Sequence, residues 1–447
     1  MAARRPSYDD LAELVQQQAL EIKHLKQRVT ELEAQLQAAH RQTAPFRRRE
    51  SLKKPAGEKK RPGRPAGHEG EYRPQPPEID QAVEVRLSGC PHCRRKLTEI
   101  HKRVQYIEEI PPVRPQCIQI TTWTGVCSHC GDVESRHPLQ TSTAVGAAGT
   151  HLGPRAQALA VTLAHGSGLT LGRTCRTLWN LCGLKLSRGG LAQLLQRVSG
   201  RLESYYERIL EQIRQSAAVF ADETSWYVGE PGWWLWIFTT PSATLYRVER
   251  SRGTDIPRET LGEQFAGTLV TDCLASYNAL NCRQHKCIAH HLRVLKEHEE
   301  TLEKRGLKSD YLHLWKLQLK DVIETWKQHQ TLTPAAYVKK VLQLKRGVEN
   351  LLNRSPPEPE EAKFRNRLLK QQQNLLGCLG NPAAEPTNNR AERDLRPAVI
   401  DRKLSCGNKT EAGKRAWEIV RSVVMTVHKQ GLDAIDALVP HLRLAGR

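Results

Sequence analysis

Ala217-Ala-Val-Phe-Ala-Asp222-Glu-Thr224 is an apolar run that closes on carboxylates. A short apolar segment of this kind reads as a buried strand delivering an acid at its end. Downstream, Trp233 to Thr240 and Ala243 to Val248 read as a hairpin turning across Pro241-Ser242, and Gly267 to Thr271 is a second apolar run ending in Asp272. Two buried strands that each finish in an aspartate predict an α/β sheet whose site lies at the strand ends. Side chains are held rigidly there while the following loops leave space.

Asp222 and Asp272 at neighbouring strand ends would repel and raise each other's pKa unless a cation sits between them. Mg²⁺ suits such a pair because it takes a few carboxylates together with water and phosphate oxygens. Thr387-Asn-Asn-Arg-Ala-Glu392-Arg-Asp-Leu-Arg-Pro397 offers a third acid, surrounded by Arg390, Arg393 and Arg396 as a phosphodiester site requires. Asn389 and Glu392 also have capping-box spacing, in which Glu392 would only satisfy a helix terminus. Glu223 adjoins Asp222, and on a strand it should point to the opposite face, which favours Asp222 as the ligand.

Upstream, Ala156 to Ala164, Leu171 to Leu181 and Ser187 to Val198 read as helices separated by Gly-containing turns, with Ser187 as an N-cap. The turn Gly183-Leu-Lys-Leu186 fits a helix-turn-helix presenting Arg188 and Gln193 to DNA, and it fits generic helix packing equally well. Downstream, residues 291–380 read as charged helices with apolar faces at Leu312, Trp315, Leu319 and Val341 to Leu352, broken by Pro356, Pro357 and Pro359. Cys287 and His290 are too few to bind a metal, and a strand passing into a helix is the expected meaning. The amphipathic segment from Trp417 to Val439 is expected to pack on the core.

Nearer the start, residues 8–40 keep a heptad with Val15, Ile22, Val29 and Leu36 at a and Leu11, Leu25 and Leu32 at d, interrupted only by Gln18. Branched residues at a with Leu at d favour a parallel dimeric coil, and Glu21 with Lys26 and Arg28 with Glu33 match across it. The alternative is an amphipathic helix packed on its own domain. Residues 41–77 then form a basic Pro/Gly linker. Its Arg61-Pro-Gly-Arg64-Pro65 resembles an AT-hook core for the minor groove, against the simpler reading of a phosphate-binding tether. Cys90-Pro-His-Cys93 and Cys127-Ser-His-Cys130 supply four thiolates for one tetrahedral Zn²⁺. Strands at Tyr106-Ile107 and Cys117 to Trp123 would make the module a zinc ribbon. Redox dithiols explain two matched pairs less well, and a closed four-thiolate site folds a module without performing chemistry.

The chain has 447 residues and 68 basic against 48 acidic side chains, a net charge of +20 that predicts attraction to polyanions. No stretch approaches the ~18 consecutive apolar residues of a spanning helix, and no secretory signal is visible, so a cytoplasmic protein without membrane contact is expected. Much of the excess charge lies from Arg41 to Arg73 and from Arg390 to Lys403. That distribution fits duplex DNA better than a membrane.

Ala-Asp222-Glu-Thr-Ser-Trp, Thr-Asp272-Cys-Leu-Ala-Ser-Tyr, Cys287-Ile-Ala-His290-His291 and Thr-Asn-Asn-Arg-Ala-Glu392-Arg-Asp-Leu-Arg-Pro together resemble the insertion-sequence-66 family of bacterial transposases. The resemblance implies a multidomain chain. It would comprise a coiled coil (8–40), the basic linker (41–77), a zinc-binding module (78–150) and a helical DNA-binding region (151–215). An α/β ribonuclease H-like catalytic domain would follow in two parts (216–290 and 381–447) around a helical insertion (291–380). It further implies that Asp222, Asp272 and Glu392 bind two Mg²⁺ or Mn²⁺ ions, cut DNA at transposon ends and join the freed strand to target DNA. Arg393, Arg396, Arg402 and Lys403 would contact backbone phosphate beside Arg390. The implied partners are terminal inverted repeats, target DNA, a second copy of the chain and accessory proteins of the same element, in a bacterial nucleoid. The alternatives are a noncatalytic dimeric zinc-containing DNA-binding regulator derived from a transposase, and a ribonuclease H-type nuclease or resolvase.

Overall fold

A computed structural model describes residues 17–22, 24–31, 77–142 and 151–444. The chain divides into two compact units, 1–109 and 110–447. Most of the heptad segment and the basic linker up to residue 76, with Arg61 and Arg64, lie outside the described residues. Within the first unit, 17–22 and 24–31 are helical, with Ile22, Leu25 and Val29 exposed. Arg28 reaches Glu31 of the same helix at 3.4 Å.

The second unit begins with a small hairpin, β1 (Thr124–Cys127) and β2 (Gly131–Glu134), paired from Thr124↔Glu134 to Cys127↔Gly131. The ribbon strands expected at Tyr106-Ile107 and Cys117 to Trp123 are absent, and the only pairing among the described residues nearby flanks the second cysteine pair. Ile107, Ile118 and Trp123 stay exposed, so the alternating residues there have no core to face.

Three helices follow: α1 (Pro154–Val161), α2 (Leu171–Cys182) and α3 (Arg188–Arg214). Thr170 caps α2 by accepting from the Arg173 N–H, and Ser187 caps α3 by accepting from the Gly190 N–H. The central sheet then forms from β3 (Ala218–Val228), β4 (Glu230–Thr239) and β5 (Thr244–Glu249). After the short α4 (Asp255–Leu261) come β6 (Thr268–Thr271), α5 (Ala275–Asn278) and β7 (Arg283–Lys286). Strand order is β5-β4-β3-β6-β7, antiparallel for β5-β4-β3 and parallel for β3-β6-β7.

Helices α6 (Ile288–Glu303), α7 (Asp310–Lys327), α8 (Pro334–Leu352) and α9 (Pro359–Leu369) follow. The chain ends in α10 (Asn389–Ser405), α11 (Glu411–Lys429) and α12 (Ala434–Leu442). Alternation along β3 divides the core. Val219 and Ala221 pack with Leu178, Leu191 and Val420 from α2, α3 and α11. Ala218 and Phe220 pack with Leu312, Trp315, Phe364 and Ala391 from α7, α9 and α10. The inserted helices thus cover one face of the sheet and share its core. Gly377 approaches β7 so closely that a Cβ there would stand 2.1 Å from the Gln284 carbonyl.

The free edge of β5 is closed by side chains. Thr244, Tyr246 and Val248 donate their N–H groups to Thr426 Oγ1 (3.0 Å), Ser422 Oγ (2.9 Å) and Glu418 Oε1 (2.6 Å), one turn apart on α11. An open edge is a template for pairing with another chain, and this helix removes it. The expected amphipathic tail is two helices, and its buried polar stripe serves the sheet edge.

Candidate active site

Asp222 lies within β3, opposite Ile237 of β4, and not at a strand end as its apolar run suggested. The parallel ladder with β6 stops at Phe220↔Val270, while β3 runs on to Val228 because the Trp-rich β4 continues to pair with it. On its β6 side, Asp222 therefore stands just past the last bonded residue, beside the loop that carries Asp272. Asp222 Oδ1 accepts the Glu223 N–H at 2.9 Å, and Asp272 Oδ1 accepts the Leu274 N–H at 2.8 Å.

Glu223 turns to the other face, as strand alternation requires. Its carboxylate is 2% exposed, receives Arg252 at 2.9 Å and accepts the Tyr277 hydroxyl at 2.8 Å. Arg252 in turn lies 4.4 Å from the Trp234 ring centroid. Tyr277 belongs to α5, directly after Asp272, so Glu223 fastens that loop to the strand bearing Asp222.

Glu392 is placed by the loop before α10. The Cys287 thiol accepts the Asn388 N–H at 3.1 Å, the Pro386 carbonyl accepts the Ile288 N–H at 2.9 Å, and Asn388 Nδ2 donates to the Ala221 carbonyl at 2.8 Å. Asn388 joins the β7–α6 junction to β3 one residue before Asp222. The capping box is not formed: the helix starts at Asn389, and no side chain caps it. Glu392 Oε1 is buried without a hydrogen-bond partner, 3.8 Å from His290 Nε2. Burial and Arg293 hold the His290 pKa below its ordinary value, against the pull of Glu392 and Asp272. Cys287 and His290 therefore mark a strand passing into a helix, as expected, and they also border the acids.

The Asp222 carboxyl is pushed up to about 8, first by burial and then by the charges of Glu223, Asp272 and Glu392. A divalent cation would relieve both costs, and the orphaned Glu392 oxygen is a hard donor of the kind Mg²⁺ prefers. The donor set fits such an ion. Among the described residues no three His, Cys, Asp or Glu side chains already converge enough to enclose one. Behind Asp272, the buried Lys286 ammonium donates to Thr271 Oγ1 at 3.0 Å, and burial lowers its pKa to about 8.

The arginines separate by their partners. Arg390 pairs with Glu385 and stacks over Phe220, and Arg402 donates to Thr224 Oγ1 and to the Ser225 carbonyl, bracing α10 against β3. Those two expected phosphate ligands are engaged within the fold. Arg393, Arg396 and Lys403 are exposed. Asn388 escaped sequence reasoning because its importance lies in contacts with residues over 100 positions away; its adjacency to Asn389 was the only local sign. Asn388→Ala should leave the Ala221 carbonyl unpaired in the core, costing about 1–3 kcal/mol. Thermal unfolding would read that loss.

Each cysteine pair has the same local form. The Cys90 thiol receives the backbone N–H groups of Cys93 and His92, and the Cys127 thiol those of Cys130 and His129, which lowers both pKa values. The residue after each second cysteine is left-handed, Arg94 with φ 59° and Gly131 with φ 74°.

A mixed α/β domain carrying three interacting carboxylates on one side of its sheet is compatible with a transposase catalytic domain. The profile described as Transposase IS66 family matches residues 149–416, and the chain belongs to that family. It is also 27% identical over 290 residues, 57% of its length, to the uncharacterized protein y4qI of Sinorhizobium fredii. The match spans 53% of that relative, about half its length. Among the described residues no helix is long and apolar enough to cross a membrane.

Proposed function

We propose that this chain is a DNA transposase whose ribonuclease H-like domain cuts at the ends of its element and joins the freed strand to target DNA. The observation that carries the reading is that the charges of Asp272 and Glu392 reach the buried Asp222 carboxyl and help to push its pKa up, inside the region that matches the family. Asp222, Asp272 and Glu392 would hold Mg²⁺ or Mn²⁺, which when bound activates the attacking oxygen and neutralises the leaving one.

The chain's own residues supply position. Glu223 and Asn388 keep the three acids in register, Arg402 braces α10, and exposed Arg393 and Arg396 orient the phosphodiester, with Lys403 further along the helix. The heptad segment would bring two chains to paired DNA ends in the bacterial nucleoid, with Arg61 and Arg64 on the intervening DNA.

Purified chain with labelled terminal DNA and Mg²⁺ should produce nicks and strand-transfer products. Metal-independent binding without either product would favour the noncatalytic regulator, and nicks without joining would favour a nuclease.

Cys90 with Cys93, and Cys127 with Cys130, would bind structural Zn²⁺, a reading supported by the same local geometry at each pair. Metal analysis should find zinc in the purified chain, lost in Cys93→Ser and Cys130→Ser, with a lower unfolding temperature. Full zinc content in both variants would remove this assignment.

A further inference from the structure

We propose that the outer face of α2, with the start of α3, is a second DNA-binding surface separate from the carboxylate site. From Ser135 to Leu202 the chain contains no Asp or Glu. Within that stretch Arg173, Arg176 and Arg188 are exposed, and among the described residues none has a carboxylate partner. Other arginines of the same unit are neutralised, as in Arg247 with Glu249 and Arg415 with Glu203. Trp179 and Leu181 share the helix and are 57% and 65% exposed.

Helical spacing sets Gly172, Arg176 and Trp179 on one side of α2, since residues three, four and seven apart share a face. Arg188 reaches the same side from the next helix. A Cβ at Gly172 would stand 3.1 Å from its Nε and 3.4 Å from its Cζ, so the missing side chain gives the guanidinium its seat. Three unneutralised guanidinium groups around an exposed indole fit phosphate oxygens with a sugar or base against the ring.

The partner class rests on the transposase reading; the placement does not. Helices α1–α3 pack on the face of β3 that carries Val219 and Ala221, whereas Asp222 and α10 occupy the other. DNA held here is therefore not the strand at the carboxylates. The surface also differs from a helix-turn-helix reader, because it is centred on α2 and uses Arg188 as a phosphate clamp.

The test titrates the full chain with a short duplex in EDTA across a salt series. Each lost phosphate contact lowers the slope of log K against log salt by about 0.9, so Arg173→Ala/Arg176→Ala/Arg188→Ala should flatten it by about 2–3. Arg176→Gln alone should flatten it by about 1, which covers failure of the triple variant to fold. Trp179→Ala should weaken binding about fivefold at unchanged slope. Arg155→Ala, at a residue paired with Asp436, should change neither. An unchanged slope in a folded triple variant, or in Arg176→Gln, overturns the proposal. A flattened slope in a chain that never cleaves DNA would keep this surface and sink the transposase reading. Cleavage with an unchanged slope would do the reverse.

Discussion

Asp222→Asn should abolish metal-dependent cleavage and at the same time raise the unfolding temperature of the metal-free chain. If the three carboxylates hold the ions as proposed, removing one forfeits several kcal/mol of transition-state stabilisation, about 10³-fold or more in rate. Asp272→Asn and Glu392→Gln should show the same loss while DNA binding survives. The stability effect follows from linkage. With its pKa pushed up to about 8 from an ordinary 3.8, the folded Asp222 binds its proton more tightly than the unfolded chain does. Its stabilising protonated form is fully present below about pH 4 and is lost as the pH rises through about 8. In EDTA the wild type should therefore weaken across that window relative to Asp222→Asn, with the gap widest at the alkaline end. Added Mg²⁺ should narrow it by stabilising only the wild type. Equal melting curves in EDTA, or wild-type cleavage by any of the three variants, would remove that carboxylate from the site.

Much of this arrangement is legible along the chain because it is written in local pattern. The apolar runs ending at Asp222 and Asp272 identify β3 and β6, and alternation alone separates Glu223 from Asp222. What escapes is set by partners distant in sequence. Nothing near Asp222 says that β3 continues to Val228, because that depends on a ladder with β4. The Asn389–Glu392 spacing suggests a capping box, yet the Asn388 contacts with Cys287 and Ala221 start the helix differently. Arg390 and Arg402 look like free cations until Glu385, Phe220 and Ser225 come beside them. Glu418, Ser422 and Thr426 look out of place on a buried helix face until the edge of β5 needs acceptors.

The buried ion pair between Arg421 and Asp401 should be the most costly single interaction to break by removing one partner. Arg421 is 1% exposed, lies 3.1 Å from Asp401 Oδ2, and also donates to the His165 carbonyl. It thereby connects α11, the turn after α1, and α10, the helix that carries Glu392. Burial raises the Asp401 pKa and Arg421 opposes that shift, so the guanidinium favours the charged carboxylate. Arg421→Met leaves the acid unpaired in the core and strands the His165 carbonyl, and a loss of about 3–5 kcal/mol is expected. Replacing both partners removes the stranded charge. Arg421→Met with Asp401→Leu should therefore recover much of the stability lost in Arg421→Met, since a buried pair and a well-packed apolar pair differ little. Urea unfolding of the two single variants and the double variant measures the coupling directly. If the losses simply add, the pair does not hold α10 in place. If they couple and cleavage returns with the double variant, the pair supports the Glu392 helix mechanically, and its charge plays no part in the reaction.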